Sequence, residues 1–429
     1  MRKFTVLIIA AAICAVILSV SADYFKKKDG SVTDGNICSG AESANEMRPQ
    51  QSGGSRNASG GFFEGLRGVW LSCYEIKDLA FGKTEDEYRV NVEAVLDRLC
   101  EYSFNTVFFQ VRAFSDSLYL SELFPASEML SVDSAGRPVF DAFGIFLECA
   151  RSRGIAVHAW VNPFRVSYSD DIKKLPKGSP ALALYKNNKK SQALLICEKG
   201  IYYNPASESA RKCVLDGIRE ILEKYAPDGI HFDDYFYPDC DFDDSLLYGQ
   251  YRSAGGGMSI QRWRCANVSE FVSSVYSLVK SVGGNDCIFG ISPDADIERD
   301  RNKYYADVAL WCGTEGYIDY IMPQIYFGFE NETKPFKSVA DDWAKAVKSP
   351  NVKLYAGLAA YKCGLTDKNA GTGRNEWAVN SDILARQASY LAENGLYKGF
   401  CLFSYSYSFG KNAGNNSEKE LKKLSFMLK

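Results

Sequence analysis

Eight short stretches of the chain each carry an apolar face and a second face that turns polar towards the end of the stretch. In the second stretch Val107, Phe109 and Val111 share one face, because successive side chains of a strand point to opposite sides. The residues between them end on Gln110 and Arg112. The polar ends of several strands should therefore converge at one mouth of a closed sheet. The eight predicted strands are residues 68–72, 106–112, 155–162, 229–233, 288–292, 318–326, 353–361 and 399–404.

Amphipathic helical patterns lie between these strands. A last helix is expected over residues 417–428, and three longer stripes recur at helical spacing: Val92, Val95, Leu96 and Leu99; Val214, Ile218, Ile221, Leu222 and Tyr225; Val268, Phe271, Val272, Val275 and Val279. Strands that alternate with helices over roughly 370 residues predict an α/β fold, a single (β/α)8 TIM barrel with enlarged loops. We assign this barrel to residues 62–429.

The first 61 residues follow neither pattern. Arg2 and Lys3 precede an apolar run from Thr5 to Val20, and the small residues at 21 and 22 suit a signal peptidase. We expect residues 1–22 to be a signal peptide, with an uncleaved membrane anchor as the alternative, and the protein to be exported to the cell envelope or medium. Residues 23–61 are rich in Gly, Ser, Asn and Lys and should form a flexible linker.

Composition narrows the classes of function. A net charge of −3 argues against nucleic acid as the main partner, since phosphate binding needs a concentrated basic surface. Only two histidines occur, His158 and His231, which excludes a zinc site built from several histidines. The sequence has neither a glycine-rich phosphate loop nor a nucleophilic serine elbow, and we expect no cofactor and no metal. The aromatic content of 14% suits a large core and a sugar-binding cleft alike.

The thirteen cysteines fall mostly in apolar strands and helices, as Cys149, Cys213, Cys287 and Cys401 do. A thiol in such a place behaves as a small buried hydrophobe. No Cys-x-x-Cys pair occurs and the count is odd, so we expect mostly free thiols and a fold that needs no disulfide.

The segment Asp228-Gly-Ile-His-Phe-Asp-Asp-Tyr-Phe-Tyr-Pro238 places two carboxylates at the end of the fourth strand. His231 and Asp233 share one face, so Asp233 is delivered at the carboxyl end of the strand, where barrels of this class keep their chemistry. Asp234 opens the following loop, and neighbouring side chains normally diverge on an extended backbone. The alternative to a catalytic role for these carboxylates is an acidic loop that only keeps the surface soluble.

Two carboxyl groups carry out glycoside hydrolysis: one protonates the leaving oxygen, and the other attacks the anomeric carbon or activates water. Asp233 is the first candidate. The second role is open between Asp234, Asp116, Glu75 and Asp294. The polar and aromatic ends of the other strands should surround them as substrate contacts: Gln110, Arg112, His158, Trp160, Asn162, His231, Gln324 and Tyr326.

Three of these features also have a structural interpretation. A histidine that lines a barrel more often orients a neighbouring carboxylate than transfers protons, which favours structural roles for His158 and His231. Arg112 is either a structural partner of Asp233 or a substrate contact. The acidic run 239–244 could ligate calcium, but its spacing matches no EF-hand loop, and a solvated loop is the preferred interpretation.

Together these motifs resemble the glycosyl hydrolase-like 10 family of bacterial exported TIM-barrel proteins. The similar runs recur in order and cover nearly all of the chain from Leu66 onwards: Leu66-Arg-Gly-Val-Trp-Leu71, Asn105-Thr-Val-Phe-Phe-Gln-Val-Arg112, Arg153-Gly-Ile-Ala-Val-His-Ala-Trp-Val-Asn-Pro-Phe-Arg165, Asn204-Pro205, residues 228–238, Phe289-Gly-Ile-Ser-Pro293, Ile318-Asp-Tyr-Ile-Met-Pro-Gln-Ile-Tyr326 and Gly357-Leu-Ala-Ala-Tyr-Lys362. The resemblance implies a glycosidase-type barrel linked to bacterial cell-wall glycans, including peptidoglycan strands stripped of peptides. Asp116, in the loop after the second strand, is also a candidate substrate contact. Four residues in the similar runs complete the set: Arg165, Asn204, Tyr235 and Tyr361.

Two departures from the family pattern concern the edge of the cleft. After strand five the family continues with an aromatic residue or glycine, whereas this chain has Asp294-Ala-Asp-Ile-Glu298. The family's Asp-Trp-Arg-Arg run appears as Arg262-Trp-Arg-Cys265. Asp233 also falls where α-amylase-like barrels carry their strand-four nucleophile, but the glutamate acid of those enzymes is missing after strand five.

We therefore hypothesise an exported glycoside hydrolase, expected to be a monomer, that acts on an amino-sugar-containing bacterial polysaccharide such as the glycan strands of peptidoglycan. The alternative from another class is a non-catalytic carbohydrate-binding or cell-wall scaffolding barrel. A third interpretation is a lytic transglycosylase, which needs only one catalytic acid. A second carboxyl group facing Asp233 would favour the hydrolase.

Overall fold

The eight predicted strands pair in parallel and close into a barrel, which confirms the expected architecture. The computed structural model describes residues 65–187 and 191–428. The strands in these ranges are β1 (Leu66–Leu71), β2 (Thr106–Arg112), β3 (Ala156–Val161), β4 (Arg165–Ser167), β5 (Leu194–Cys197), β6 (Gly200–Tyr203), β7 (Gly229–Phe232), β8 (Ile288–Ile291), β9 (Tyr320–Ile321), β10 (Lys353–Leu358) and β11 (Tyr397–Leu402). The barrel order is β1-β11-β10-β9-β8-β7-β3-β2, and β4, β5 and β6 form a separate small sheet.

The barrel closes where the first strand lies between the second and the last. Leu66 of β1 is in register with Gly399 of β11, and Gly68 is in register with Thr106 of β2. Gly399 has a φ of +142°, and a β-carbon there would lie 2.0 Å from the carbonyl oxygen of Leu66. A residue without a side chain is therefore needed for the two strands to meet.

The helices cover the outside of the barrel and bury the predicted apolar stripes. They are α1 (Cys73–Ala80), α2 (Glu85–Glu101), α3 (Ala142–Ser152), α4 (Pro180–Asn187), α5 (Glu208–Tyr225), α6 (Ser245–Ser253), α7 (Ile260–Leu278), α8 (Ile297–Arg299), α9 (Val308–Gly313), α10 (Phe336–Ala346), α11 (Glu376–Val379), α12 (Ile383–Asn394), α13 (Tyr405–Ser408) and α14 (Asn415–Leu428). A reciprocal capping box between Thr84 and Glu87 starts α2, because it satisfies backbone donors that the first helical turn leaves open. The helices thus begin at local signals and are held by packing against the strands.

The sixth barrel strand is much shorter than the alternation predicts. Only Tyr320 and Ile321 form ladder pairs, and the chain continues extended to isolated bridges at Gln324. Pro323 has no N–H to donate, although its carbonyl oxygen still accepts from the N–H of Gly357 at 2.9 Å. The extended continuation nevertheless carries Gln324 to the mouth of the barrel.

The small sheet between β3 and α5 was not predicted, and it brings a disulfide with it. β6 pairs antiparallel with both β4 and β5. Cys197 at the end of β5 is bonded to Cys240 in the loop after β7, while nine other cysteines in the described part of the chain are free. The expectation of a fold without a disulfide is therefore wrong for this pair, because the bond joins the end of the small-sheet strand β5 to the loop after β7, outside the apolar barrel strands and helices that hold most of the other cysteines.

We expect reduction of the Cys197–Cys240 bond to lower the melting temperature by about 5 °C or less. The bond closes a loop of 43 residues, which gives an upper value of about 4 kcal/mol in the chain-entropy model, spread over the large unfolding entropy of a long chain. Calorimetry with and without dithiothreitol measures the shift. The variant with both cysteines replaced by serine should not respond to dithiothreitol, and a much larger shift in the wild type would reveal a wider disulfide network.

The predicted leader (residues 1–22) and linker (residues 23–61) lie outside the described residues. Within residues 65–187 and 191–428, every helix is too short or too polar to cross a membrane.

Candidate active site

Asp233 lies one residue beyond the carboxyl end of β7, and its carboxyl group is oriented by two donors. Trp160 Nε1 donates to Oδ2 at 3.1 Å, and the backbone N–H of Tyr235 donates to Oδ1 at 3.2 Å. The residue is only 5% exposed, and burial raises the pKa of its carboxyl well above the usual 3.8, with a further contribution from the charge of Asp234. A raised pKa makes a carboxyl group hold its proton to a higher pH, which is the property that a general acid requires.

Asp234 also turns towards the mouth, although its side chain was expected to point away. The strand ends at Phe232 and the chain bends at Asp234, so the alternation of a strand no longer applies. The Asp234 carboxyl is hydrogen-bonded by the Gln324 side chain, and burial together with the charge of Asp294 raises its pKa to about 6. The charge of Asp234 also acts on the Asp233 carboxyl, so the two groups titrate as a pair, and the expected divergence of their side chains stays a prediction.

Amide side chains from three other strands meet at the same end of the barrel. Gln110 Nε2 donates to Asn162 Oδ1 at 2.9 Å, and Gln110 Oε1 accepts from the N–H of Cys73 at 2.8 Å. On another side of the mouth, Gln324 Nε2 donates to the carbonyl oxygen of Ser292 at 3.1 Å. Gln110, Asn162 and Gln324 thus lie at the carboxyl ends of their strands, as the alternation predicts, and their contact with a substrate stays a prediction.

Aromatic rings form one wall beside the carboxylates. The ring centroids of Tyr326 and Tyr361 lie 5.7 Å apart, and those of Tyr326 and Phe403 lie 5.9 Å apart. Burial raises the pKa of Tyr326 well above 10, and the charges of Asp234 and Asp233 add to the shift, which places this phenol close to the acidic pair. Such flat apolar faces suit the stacking of a sugar ring.

Both histidines lie inside the barrel beneath this mouth. Trp70 Nε1 donates to His231 Nε2 at 3.1 Å, and the hydroxyl of Tyr320 lies 2.9 Å from Nδ1 of both His231 and His158. Burial lowers the pKa of His158 to about 3 and that of His231 well below 6.5, so both rings are neutral. His158 is 3% exposed and His231 is fully buried, which makes them part of the barrel filling and corrects their expected position as substrate contacts.

Arg112 does not line the mouth. The pairing of β2 with β3 shifts its register between Gln110 and Arg112, and such a bulge turns the following side chain to the other face. The Arg112 guanidinium stacks on Phe124 at 4.1 Å from the ring centroid and faces Gly217 of α5, where a β-carbon would lie 2.0 Å from Nη1. The predicted inward position of Arg112 is therefore wrong.

Three further candidates are occupied by contacts within the fold. Asn204 is fully buried, and its amide donates to Gln192 O at 2.9 Å and accepts from Ala206 N at 3.0 Å, so it stabilises a turn and is closed to a substrate. Glu75 accepts from the Ser404 hydroxyl at 2.6 Å and from the N–H of Ser72 at 2.6 Å. Asp116 is 8% exposed, desolvation raises its pKa to about 6, and its Oδ1 has no hydrogen-bond partner among the described residues. Glu75 is therefore the candidate most fully bound within the fold, and Asp234, Asp294 and Asp116 remain candidates for the second carboxyl role.

A further buried carboxylate, Asp300, contacts Asp294 near Asp234 and was not among the predicted residues. Asp300 is 1% exposed, its Oδ1 accepts from the N–H of Asp294 at 3.1 Å, and its Oδ2 has no partner among the described residues. Burial and the charges of Asp294 and Asp234 raise the pKa of Asp300 well above 3.8. The only signal for this carboxylate was the unusual acidic run that follows Pro293.

Arg165 and Tyr235 do lie beside Asp233, together with two aromatic residues that were not predicted. The guanidinium carbon of Arg165 lies 4.4 Å from the ring centroid of Tyr235, 3.9 Å from that of Tyr168 and 5.5 Å from that of Phe114. Tyr168 and Phe114 follow no strand or helix period, so alternation carried no information about them.

Two carboxylates of the acidic run 239–244 are bound by arginines. Arg299 binds Asp239 at 2.9 Å. Arg264 lies in the run 262–265, which differs from the family pattern, and it binds Asp244 through two hydrogen bonds of 2.7 Å. Within residues 65–187 and 191–428, no group of three or more His, Cys, Asp or Glu side chains is placed to hold a metal ion.

Comparison with known proteins concerns the family and the fold of this chain. A family model described as glycosyl hydrolase-like 10 matches residues 65–372. Glycosyl hydrolase DigH of Escherichia coli (strain K12) is 27% identical in an alignment of 351 residues that covers 74% of this chain and 77% of DigH. Glycosyl hydrolase YngK of Bacillus subtilis (strain 168) is 31% identical in an alignment of 329 residues that covers 69% of this chain and 61% of YngK. The glycoside hydrolase domain of PgaB (BpsB) from Bordetella bronchiseptica shares the fold with a TM-score of 0.59 at 13% identity, over 84% of this chain and 98% of that domain.

Proposed function

Because this chain belongs to the glycosyl hydrolase-like 10 family, we propose that it hydrolyses an amino-sugar-containing bacterial polysaccharide, with peptidoglycan glycan strands as the leading substrate. Family and fold make the chain a glycoside hydrolase. The observation that carries the mechanism is the Asp233–Asp234 pair, a buried and a half-buried carboxyl group that both have raised pKa values. The family resemblance supports the choice of glycan, and the apolar N-terminal run supports a site of action outside the cytoplasm.

In the proposed reaction Asp233 is the general acid. Its proton passes to the glycosidic oxygen as the bond between that oxygen and the anomeric carbon breaks. Asp234 is the second carboxyl group, because its pKa of about 6 leaves it ionised at neutral pH. It assists the addition of water to the anomeric carbon, and the proton lost by the water restores the acidic form of the site. Asp294 stands behind Asp234 and keeps the pKa of Asp234 raised.

Purified peptidoglycan strands without peptides are the substrate that tests the proposal. We expect cleavage products whose combined mass exceeds that of the parent strand by one water per bond broken. The Asp241→Asn variant should give the same products as the wild type, since Asp241 is an exposed carboxylate of the loop that follows Asp233 and Asp234. Anhydro products would indicate a lytic transglycosylase instead, and strands that bind without cleavage would indicate a carbohydrate-binding barrel.

A further inference from the structure

Arg165 is a cation at the barrel mouth that has no counter-ion among the described residues. Its Nε is buried and has no hydrogen-bond partner, and within residues 65–187 and 191–428 no carboxylate lies within ion-pair distance of its guanidinium. Arg264 of α7 and Arg299 of α8 differ in this respect, because they are bound to Asp244 and Asp239. A buried N–H donor without a partner is costly, so the Nε edge of Arg165 would gain from a ligand that accepts a hydrogen bond.

Aromatic rings hold this guanidinium in place. Tyr168 and Tyr235 lie closest, at 3.9 Å and 4.4 Å from the guanidinium carbon to their ring centroids. The hydroxyl of Tyr168 is in turn 3.1 Å from that of Tyr74, which links the ring to the first turn of α1. Ring faces stabilise a cation but accept no in-plane hydrogen bonds from it, so the edge of the guanidinium remains available.

Arg165 lies next to the proposed general acid Asp233. Tyr235 packs on Arg165 and also donates its backbone N–H to Asp233, so one residue links the guanidinium to the proposed acid. The positive charge of Arg165 is felt at Asp233, where it opposes the rise in the pKa of that carboxyl. A group bound to Arg165 would therefore belong to a sugar next to the scissile bond.

We propose that Arg165 binds the carboxylate of an acidic sugar in the strand, namely the lactyl carboxylate of N-acetylmuramic acid that is exposed once the peptide has been removed. This inference rests on the proposed function and names the group that selects the substrate. The planar fork of a guanidinium matches a carboxylate in a bidentate geometry. A peptide-substituted lactyl group has no free carboxylate to offer, so the enzyme prefers strands without peptides.

The test compares peptide-free strands with the same strands after amidation of the lactyl carboxylate. We expect the wild type to favour the free carboxylate at least about 10-fold in kcat/KM, the lower range for charge-assisted hydrogen bonds. In the Arg165→Gln variant this ratio should fall to about one, and Arg165→Lys should restore part of it. Arg137→Gln, at a side chain that is 76% exposed, is the control and should keep the wild-type ratio.

A wild-type ratio near one, or an unchanged ratio in Arg165→Gln, would overturn the inference. An equal loss on both strands together with a shifted pH profile would also overturn it, because Arg165 would then act only through Asp233. If the wild type cleaves neither strand, the proposed function fails, and calorimetric Kd values for the two strands still decide about Arg165. Hyaluronan oligosaccharides that compete as well as peptide-free strands would show a uronate site and overturn the assignment to the lactyl group.

Discussion

Asp233→Asn should lower turnover on peptide-free glycan strands by at least about 100-fold, the low end of what a general acid contributes. Asparagine keeps the size of the side chain and can still accept from Trp160, but it has no proton to give to the leaving oxygen. Single-turnover kinetics with a defined strand separates this loss from changes in binding. Asp241→Asn should keep wild-type turnover.

Asp233→Asn should also stabilise the fold, and by an amount that depends on pH. The pKa of Asp233 is raised above its usual 3.8, so the stabilisation from its protonated form is full below that pH and is lost as the pH rises through the folded-state pKa. Asparagine cannot ionise, and its advantage in melting temperature should be larger at pH 8 than at pH 4. If Asp234→Asn abolishes turnover while Asp233→Asn leaves it intact, the two roles must be exchanged.

Tyr320→Phe should cost roughly 2–4 kcal/mol of unfolding free energy, because it leaves two buried ring nitrogens unpaired. The indole N–H of Trp70 can only donate, so the proton of neutral His231 sits on Nδ1 and is donated to the Tyr320 oxygen. The Tyr320 hydroxyl then donates to Nδ1 of His158. One hydroxyl thus completes a chain of hydrogen bonds through the barrel.

Tyr355→Phe is the matched control for this loss. Tyr355 packs against Tyr320 with ring centroids 5.4 Å apart, and among the described contacts its hydroxyl makes no hydrogen bond to another side chain. Its removal should cost less than about 1 kcal/mol, within the usual range for a change that breaks no network. Calorimetry of both variants gives the comparison, and equal losses would show that ring packing, and not the hydrogen-bond chain, holds the centre of the barrel.

The alternation of apolar and polar side chains predicted correctly which residues face the barrel interior along the regular part of each strand. In β7 the face of His231 continues to Asp233, and in β3 the face of His158 continues to Trp160, whose indole binds that same Asp233. Burial of one face under helices and of the other inside the barrel constrains both faces of every strand, so the pattern is strong. The prediction failed at Arg112, where one extra residue in a bulge reverses the face and leaves no mark in the sequence pattern.

The sequence by itself therefore determined the order of strands and helices, the closed barrel and the inward direction of Asp233, since these follow from local period and apolar burial. Only the tertiary structure decided which groups meet around that carboxylate. Asp234 turns to the mouth because the chain bends after β7 and its carboxyl is bound by Gln324 from a distant strand. Likewise, loops from three parts of the chain surround Arg165 with rings, and in the described part of the chain none of them brings a carboxylate within ion-pair distance. Contacts between loops depend on the spatial arrangement of remote segments, and no period in the sequence encodes that arrangement.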